Sequence, residues 1–138
     1  MQHGSTHALY YAVEGLPTYI DQIRALMTAV NACEIIGVTS ELTLAETLVK
    51  PFKDQQPALQ QAYKIFLTPT PALEVAPISR AILEDAAQLR ATTKLKLPDA
   101  IHMATALRHQ CDSFLTNDDV FKSLNLTQVR MLSDVDLT

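Results

Sequence analysis

The segment EIIGVTSELTLAETLVKP, residues 34–51, passes from an apolar, β-branched run into a helical pattern within a few residues. Ile35, Ile36 and Val38 suit a buried strand. Thr39 and Ser40 then offer hydroxyls to the first free amides of the helix ELTLAETLVKP, which Pro51 is expected to stop. A strand that feeds directly into a helix is the unit of an α/β fold. Downstream, residues 56–66 place Leu59, Ala62, Tyr63 and Phe66 on one helical face, Pro69 and Pro71 end that helix, and the apolar run 72–76 reads as a strand. Residues 79–91 and LPDAIHMATALRHQ, residues 97–110, read as two successive helices, the second with Pro98 in its first turn. Residues 112–116 (DSFLT) form a compact strand, Asn117, Asp118 and Asp119 a loop and cap, residues 120–124 a helical turn and residues 128–132 a last strand. Upstream, residues 8–14 read as a short helix ended by Gly15, and residues 18–31 as an amphipathic helix carrying Ile20, Ile23, Leu26, Met27 and Val30. The alternation predicts a three-layer α/β/α sandwich with a mainly parallel sheet covered on both faces.

The bulk properties narrow the function. A chain of 138 residues, 48% hydrophobic, is long enough to bury a core without metal or disulfide staples. With no Gly/Ser linker, repeat or charge block, residues 1–138 read as a single domain, in which residues 1–7 lack any hydrophobic pattern and read as disordered or as an added remnant. The balance of 11 Lys and Arg against 15 Asp and Glu leaves a net charge of −4, which argues against a general polyanion-coating role. Any nucleic-acid contact must therefore use a local basic patch, for which Arg90, Lys94, Lys96 and Arg108 are the candidates. The two cysteines, Cys33 and Cys111, have no metal-binding or redox spacing and suit reduced thiols in the cytoplasm. No segment approaches the roughly 18 apolar residues of a membrane span, and the start is unlike a secretion signal.

In a parallel sheet of this kind, ligands bind outside the carboxyl ends of the strands. Three acids fall there: Glu46 in the helix after Val38, Asp99 at the start of LPDAIHMATAL, and Asp118 just after the strand ending at Thr116. Clustered carboxylates repel one another, and a hard cation such as Mg²⁺ or Mn²⁺ relieves that repulsion while engaging a phosphate oxygen. Taken singly, each acid has an ordinary role: Asp99 complements a helix dipole, Asp118 or Asp119 caps a turn, and Glu46 sits on a solvated helix face. His102 lacks a second histidine at helical ligand spacing and reads as a packed residue.

Taken together and in order, TSELTLAETLVKP (residues 39–51), LPDAIHMATAL (residues 97–107) and FLTNDDVF (residues 114–121) resemble the PIN domain, and in particular the VapC-like toxins of bacterial toxin–antitoxin modules. The helix AAQLRATTKLKLPDA before the second motif strengthens the likeness. The resemblance implies a parallel five-stranded sheet between helices and a Mg²⁺- or Mn²⁺-dependent endoribonuclease. It carries over Glu46, Asp99 and Asp118 as catalytic and metal-binding acids, Asp119 as a further ligand, and Ser40 and Thr116 as supporting hydroxyls. It also implies an antitoxin partner and a homodimer. One departure stands out: where the family has an apolar strand ending in Asp, followed by sequence like HALYYAVEG (residues 7–15), this chain has Ser5 preceded by MQHG. The first central strand is therefore expected to be shortened or missing, and catalysis to be impaired.

The alternative is a non-catalytic interaction module, in which a hairpin over residues 10–30 uses Tyr10, Tyr11, Leu16, Tyr19 and Leu26 as a dimer face or as a seat for an antitoxin-type partner. A phosphoacceptor receiver or phosphatase would need a nucleophilic Asp at the end of an early strand, where this chain has Thr39 and Ser40.

Overall fold

The computed structural model describes residues 7–12, 35–126 and 128–131. Five strands are present among them: β1 (His7–Ala12), β2 (Ile35–Ser40), β3 (Leu73–Ala76), β4 (Ser113–Thr116) and β5 (Val129–Met131). They form one sheet in the order β3-β2-β1-β4-β5, and every neighbouring pair is parallel. Between the strands lie α1 (Glu41–Lys53), α2 (Pro57–Phe66), α3 (Arg80–Thr92) and α4 (Leu97–Arg108), and a 3₁₀ turn at Asp119–Leu124 joins β4 to β5. The expected α/β/α arrangement is thus the one observed.

Two apolar clusters cover the two faces of the sheet. Tyr10, Ala12, Val38 and Phe114 pack with Ile82 and Ala86 of α3 and with Ala100, Ile101, Met103 and Ala104 of α4. On the other face Tyr11, Leu73 and Leu115 pack with Leu48 of α1 and Tyr63 of α2. The alternation along β1, with Tyr10 on one face and Tyr11 on the other, is the period-two pattern of a strand buried on both sides. Tyr10 stacks on Phe114 with ring centroids 5.2 Å apart, and Phe114 meets Phe121 of the 3₁₀ turn at 4.7 Å.

Local chemistry explains the helix starts. The Ser40 hydroxyl accepts from the Leu42 amide at 3.0 Å and opens α1; Ser79 does the same for Ile82 at 3.2 Å and opens α3. Pro98 sits in the first turn of α4, where its missing N–H costs no helical bond.

Three expectations are corrected. The first central strand is neither shortened nor missing: His7–Ala12, which had read as the start of a helix, fills the centre of the sheet. Strands β2 and β4 each direct backbone donors and acceptors into the space between them, and an extended segment is what satisfies both rows. Tyr10 and Tyr11 consequently belong to the core, at 0% and 8% exposure, and cannot serve as a dimer face; Leu16, Tyr19, Leu26 and Val30 lie outside the described residues. Pro51 does not stop α1, which continues to Lys53 with the proline ring buried. Proline near a helix end removes few intrahelical bonds, and the burial of its ring favours the extra turn.

Gly37 tests the placement of β1. A Cβ at this position would stand 2.5 Å from Cε2 of the buried Tyr11 ring, and Leu73 closes the other side at 3.3 Å. Gly37→Ala should therefore cost about 1–3 kcal/mol through overpacking, read from urea denaturation. An unchanged midpoint would mean that Tyr11 does not occupy this side of β1.

Candidate functional site

The candidate site lies along the carboxyl edge of the sheet. Strand β2 ends at Ser40, which is also the N-cap of α1, and β4 ends at Thr116. Helix α4 runs toward the start of β4, so its first turn, with Asp99, returns to the same edge. Glu46 projects from the second turn of α1, and Asp118 follows β4 by two residues.

The charges of Asp118 and Glu46 both act on Asp99. The Asp99 carboxyl is pushed above the ordinary carboxylate value by burial, then by the negative charge of Asp118 and, less strongly, of Glu46; His102 and Lys96 pull it the other way. Burial disfavours the charged form, and like charges nearby add to that. Ser40 and Thr116 are fully buried beneath this edge. Thr116 accepts the Asp118 amide on Oγ1 at 3.0 Å, and one Asp118 carboxylate oxygen accepts the Val120 amide at 3.0 Å. The hydroxyl of Thr116 and the cap together fix the loop that carries Asp118. Asp119 is exposed and pairs with Lys122 at 3.6 Å.

Glu46 is held by a residue that the sequence reading set aside. Its Oε1 lies 2.7 Å from Nε2 of His102, and Nδ1 of the same ring lies 2.8 Å from the hydroxyl of Tyr10. His102 is 5% exposed and follows Asp99 by three positions, so both project from one side of α4. That spacing, together with a lone imidazole inside the apolar run AIHMATA, is the signal available in the sequence.

The basic candidates divide. Lys96 is exposed beside Asp99 and lowers its carboxyl slightly, and Lys94 is exposed in the same α3–α4 connection. Arg90 spans this connection with a hydrogen bond from Nη1 to the Leu95 carbonyl at 3.1 Å. Arg108 stands apart. It ends α4, nine residues and roughly 13 Å along the helix from Asp99, and its Nε is bound to Asp85 at 2.7 Å. Burial, then the charges of Asp112 and Glu74, push the Cys111 thiol up to about 12, which disfavours the nucleophilic thiolate.

This sheet order, with acids delivered to one edge by α1, α4 and the loop after β4, is that of a defined class of protein. The chain belongs to the PIN domain family, whose model matches residues 6–125. Two solved structures share its fold. One is a toxin–antitoxin complex from Klebsiella pneumoniae, 27% identical, with a TM-score of 0.64 over 93% of this chain and 99% of the other. The second is VapBC2 from Rickettsia felis bound to a DNA fragment from their promoter, 16% identical, with a TM-score of 0.69 over 90% and 98% of the respective chains. No curated protein matches the sequence. Among the described residues no helix is long and apolar enough to cross a membrane.

The fold family implies a divalent cation. The donor set suits one in kind, since the charges of Asp118 and Glu46 oppose the ionisation of Asp99 and all three offer hard oxygen. As they stand, no three acidic, histidine or cysteine side chains among the described residues are grouped closely enough to hold an ion. Glu46 and Asp118 each spend one oxygen on a protein donor.

The raised Asp99 carboxyl has a consequence for stability. Because its folded-state value lies above the unfolded value of about 3.9, the protonated form favours the fold. That contribution is complete below about pH 4 and is lost as pH rises through the raised value. In metal-free buffer Asp99→Asn should melt above the wild type at neutral pH, with the gap closing toward pH 4. Thermal denaturation across this range checks the sign, and a lower melting temperature for the variant at neutral pH would contradict it.

Proposed function

We propose that the chain is a metal-dependent endoribonuclease that cleaves RNA phosphodiester bonds, and that it is the toxin of a toxin–antitoxin pair. The observation that carries this reading is the delivery of Glu46, Asp99 and Asp118 to one sheet edge, where the ionisation of Asp99 is opposed by the other two. Glu46, Asp99 and Asp118 would hold Mg²⁺ or Mn²⁺, with Asp119 as an outer contributor. A cation held there would supply Lewis acidity, offsetting phosphodiester charge and making water a better nucleophile at neutral pH.

The remaining roles belong to the chain's own side chains. Thr116 and the Val120 amide fix the Asp118 loop, and Ser40 fixes the start of the helix that carries Glu46. Lys96 and Lys94, both exposed, would receive the phosphates flanking the scissile bond, with Arg90 bracing the connection that carries them. Such contacts orient RNA without reading its bases. The solved toxin–antitoxin complex at 27% identity supports a protein antitoxin as partner. The same reading places the protein in the cytoplasm as a homodimer, for which light scattering is the measure.

A non-catalytic partner-binding module is the second reading. It is favoured by the engagement of Glu46 with His102 and by the exposure of Val49 and Phe52 on α1 and Ile65 on α2.

Asp99→Asn decides between the two. On the nuclease reading it reduces Mn²⁺-dependent cleavage of RNA to background while circular dichroism and the melting transition show an intact fold. Cleavage retained in that variant would overturn the assignment, and absence of cleavage by the wild type would leave the binding-module reading.

A further inference from the structure

We infer that His102, braced by Tyr10, is a positioning residue that sets the carboxylate of Glu46 at the candidate metal site; the inference rests on the nuclease reading above. The imidazole is 5% exposed, and both of its ring nitrogens have partners, the Tyr10 hydroxyl at 2.8 Å and Glu46 Oε1 at 2.7 Å. Tyr10 is itself fully buried in the central strand, with its ring stacked on Phe114.

The direction of the chain follows from donor and acceptor chemistry. An ionised carboxylate offers no proton, so the one between His102 and Glu46 belongs to Nε2. In the single-proton form of the ring that proton on Nε2 leaves Nδ1 as the acceptor of the Tyr10 phenol, which is the arrangement the inference assigns. Each group is thereby used once, and the ring is held in one tautomer and one orientation by a hydroxyl anchored in the core. The end of the chain is Glu46 Oε1. The second Glu46 oxygen has no hydrogen bond among the described residues, and the charge of this carboxylate is felt at Asp99. The contact with His102 therefore leaves one oxygen for a cation and restrains a long side chain that is 38% exposed. Carboxylates that ligate metals are commonly held by hydrogen bonds of this sort.

Two measurements test the inference, one without metal. The ring-nitrogen spectrum of ¹⁵N-histidine-labelled wild-type protein should show His102 as the Nε2–H tautomer, and Glu46→Ala, a change at a partly exposed position, should shift those resonances. An Nδ1–H tautomer, or resonances indifferent to Glu46→Ala, would overturn the inference. The second measurement is calorimetry with Mn²⁺ alone. His102→Leu should weaken affinity by about 10- to 100-fold, whereas His102→Gln, which restores an N–H donor near the place of Nε2, should recover most of it. Tyr10→Phe should fall between wild type and His102→Leu. Mn²⁺ affinity in His102→Leu equal to or above that of a binding wild type would overturn the inference, marking His102 as a bystander or as a competitor for Glu46. If the wild type binds no Mn²⁺, the nuclease reading is what fails, and the tautomer and its response to Glu46→Ala still decide whether His102 positions Glu46.

Discussion

The centre of a parallel sheet cannot be left open, and the rest of this structure depends on how that constraint is met. Strands β2 and β4 are both paired with β1, so without it two rows of backbone donors and acceptors would face each other across a gap too wide to bond. Each buried backbone group left unpaired costs about 1–3 kcal/mol. HALYYA meets the need because its side chains alternate between the two cores. Leu9 and Tyr11 face α1 and α2, while Ala8, Tyr10 and Ala12 face α3 and α4. The register follows, with Tyr10 opposite Val38 and Phe114 and Ala12 opposite Thr116, and it aligns the carboxyl edge on which the acids meet.

That edge is held in an electrostatically unfavourable state. Asp99 is partly buried, and Asp118 and Glu46 add negative charge around it, with only His102 and Lys96 acting in the opposite sense. Folding alone would select against such a grouping, because a smaller or neutral side chain at position 99 would relieve it. A carboxyl kept charged at a cost in stability is a common mark of a functional site. Asp118 shows how the cost is contained. Its loop is pinned from both sides, by Thr116 below and by the Val120 amide at the next turn, so the charge stays placed whether or not a cation compensates it.

Much of this was legible in the sequence because it is local. Ser40 and Ser79 cap the helices they precede, and Pro98 marks the start of α4, since one side chain and a few amides decide each of these. The acids Glu46, Asp99 and Asp118 could be singled out because the topology of a parallel sheet says where to look. The central strand was not legible. Residues 8–12 satisfy helical and extended patterns alike, and the choice is made by an empty place between two strands more than twenty residues away. Pro51 misled for a related reason, since its local rule was outweighed by burial of its ring. The basic residues were grouped by charge alone, although the helix read over residues 97–110 already separated Arg108 from Asp99; what only the fold reveals is the pairing of Arg108 with Asp85. His102 carried only the weak signal of its spacing from Asp99, because both of its partners, Tyr10 and Glu46, come from elements that only the fold brings to α4.

Tyr10 joins these levels in one side chain. Its ring is part of the aromatic stack that runs through Phe114 to Phe121 and ties β1 and β4 to the 3₁₀ turn, and its hydroxyl ends on His102. A carboxylate on a partly exposed helix is thus linked, through one imidazole, to a fully buried side chain of the central strand. Packed interiors do not deform continuously, so on the inference above Glu46 is restrained by the core through this one contact. The 3₁₀ turn begins at the Asp118 cap and carries Phe121 into the same stack, which gives the second acid the same reference. Two of the three acids are therefore located by a single aromatic cluster, and the third, Asp99, lies one helical turn from His102. Strand β1, supplied by an unpromising stretch of sequence, is in this sense both the centre of the fold and the support of the candidate site.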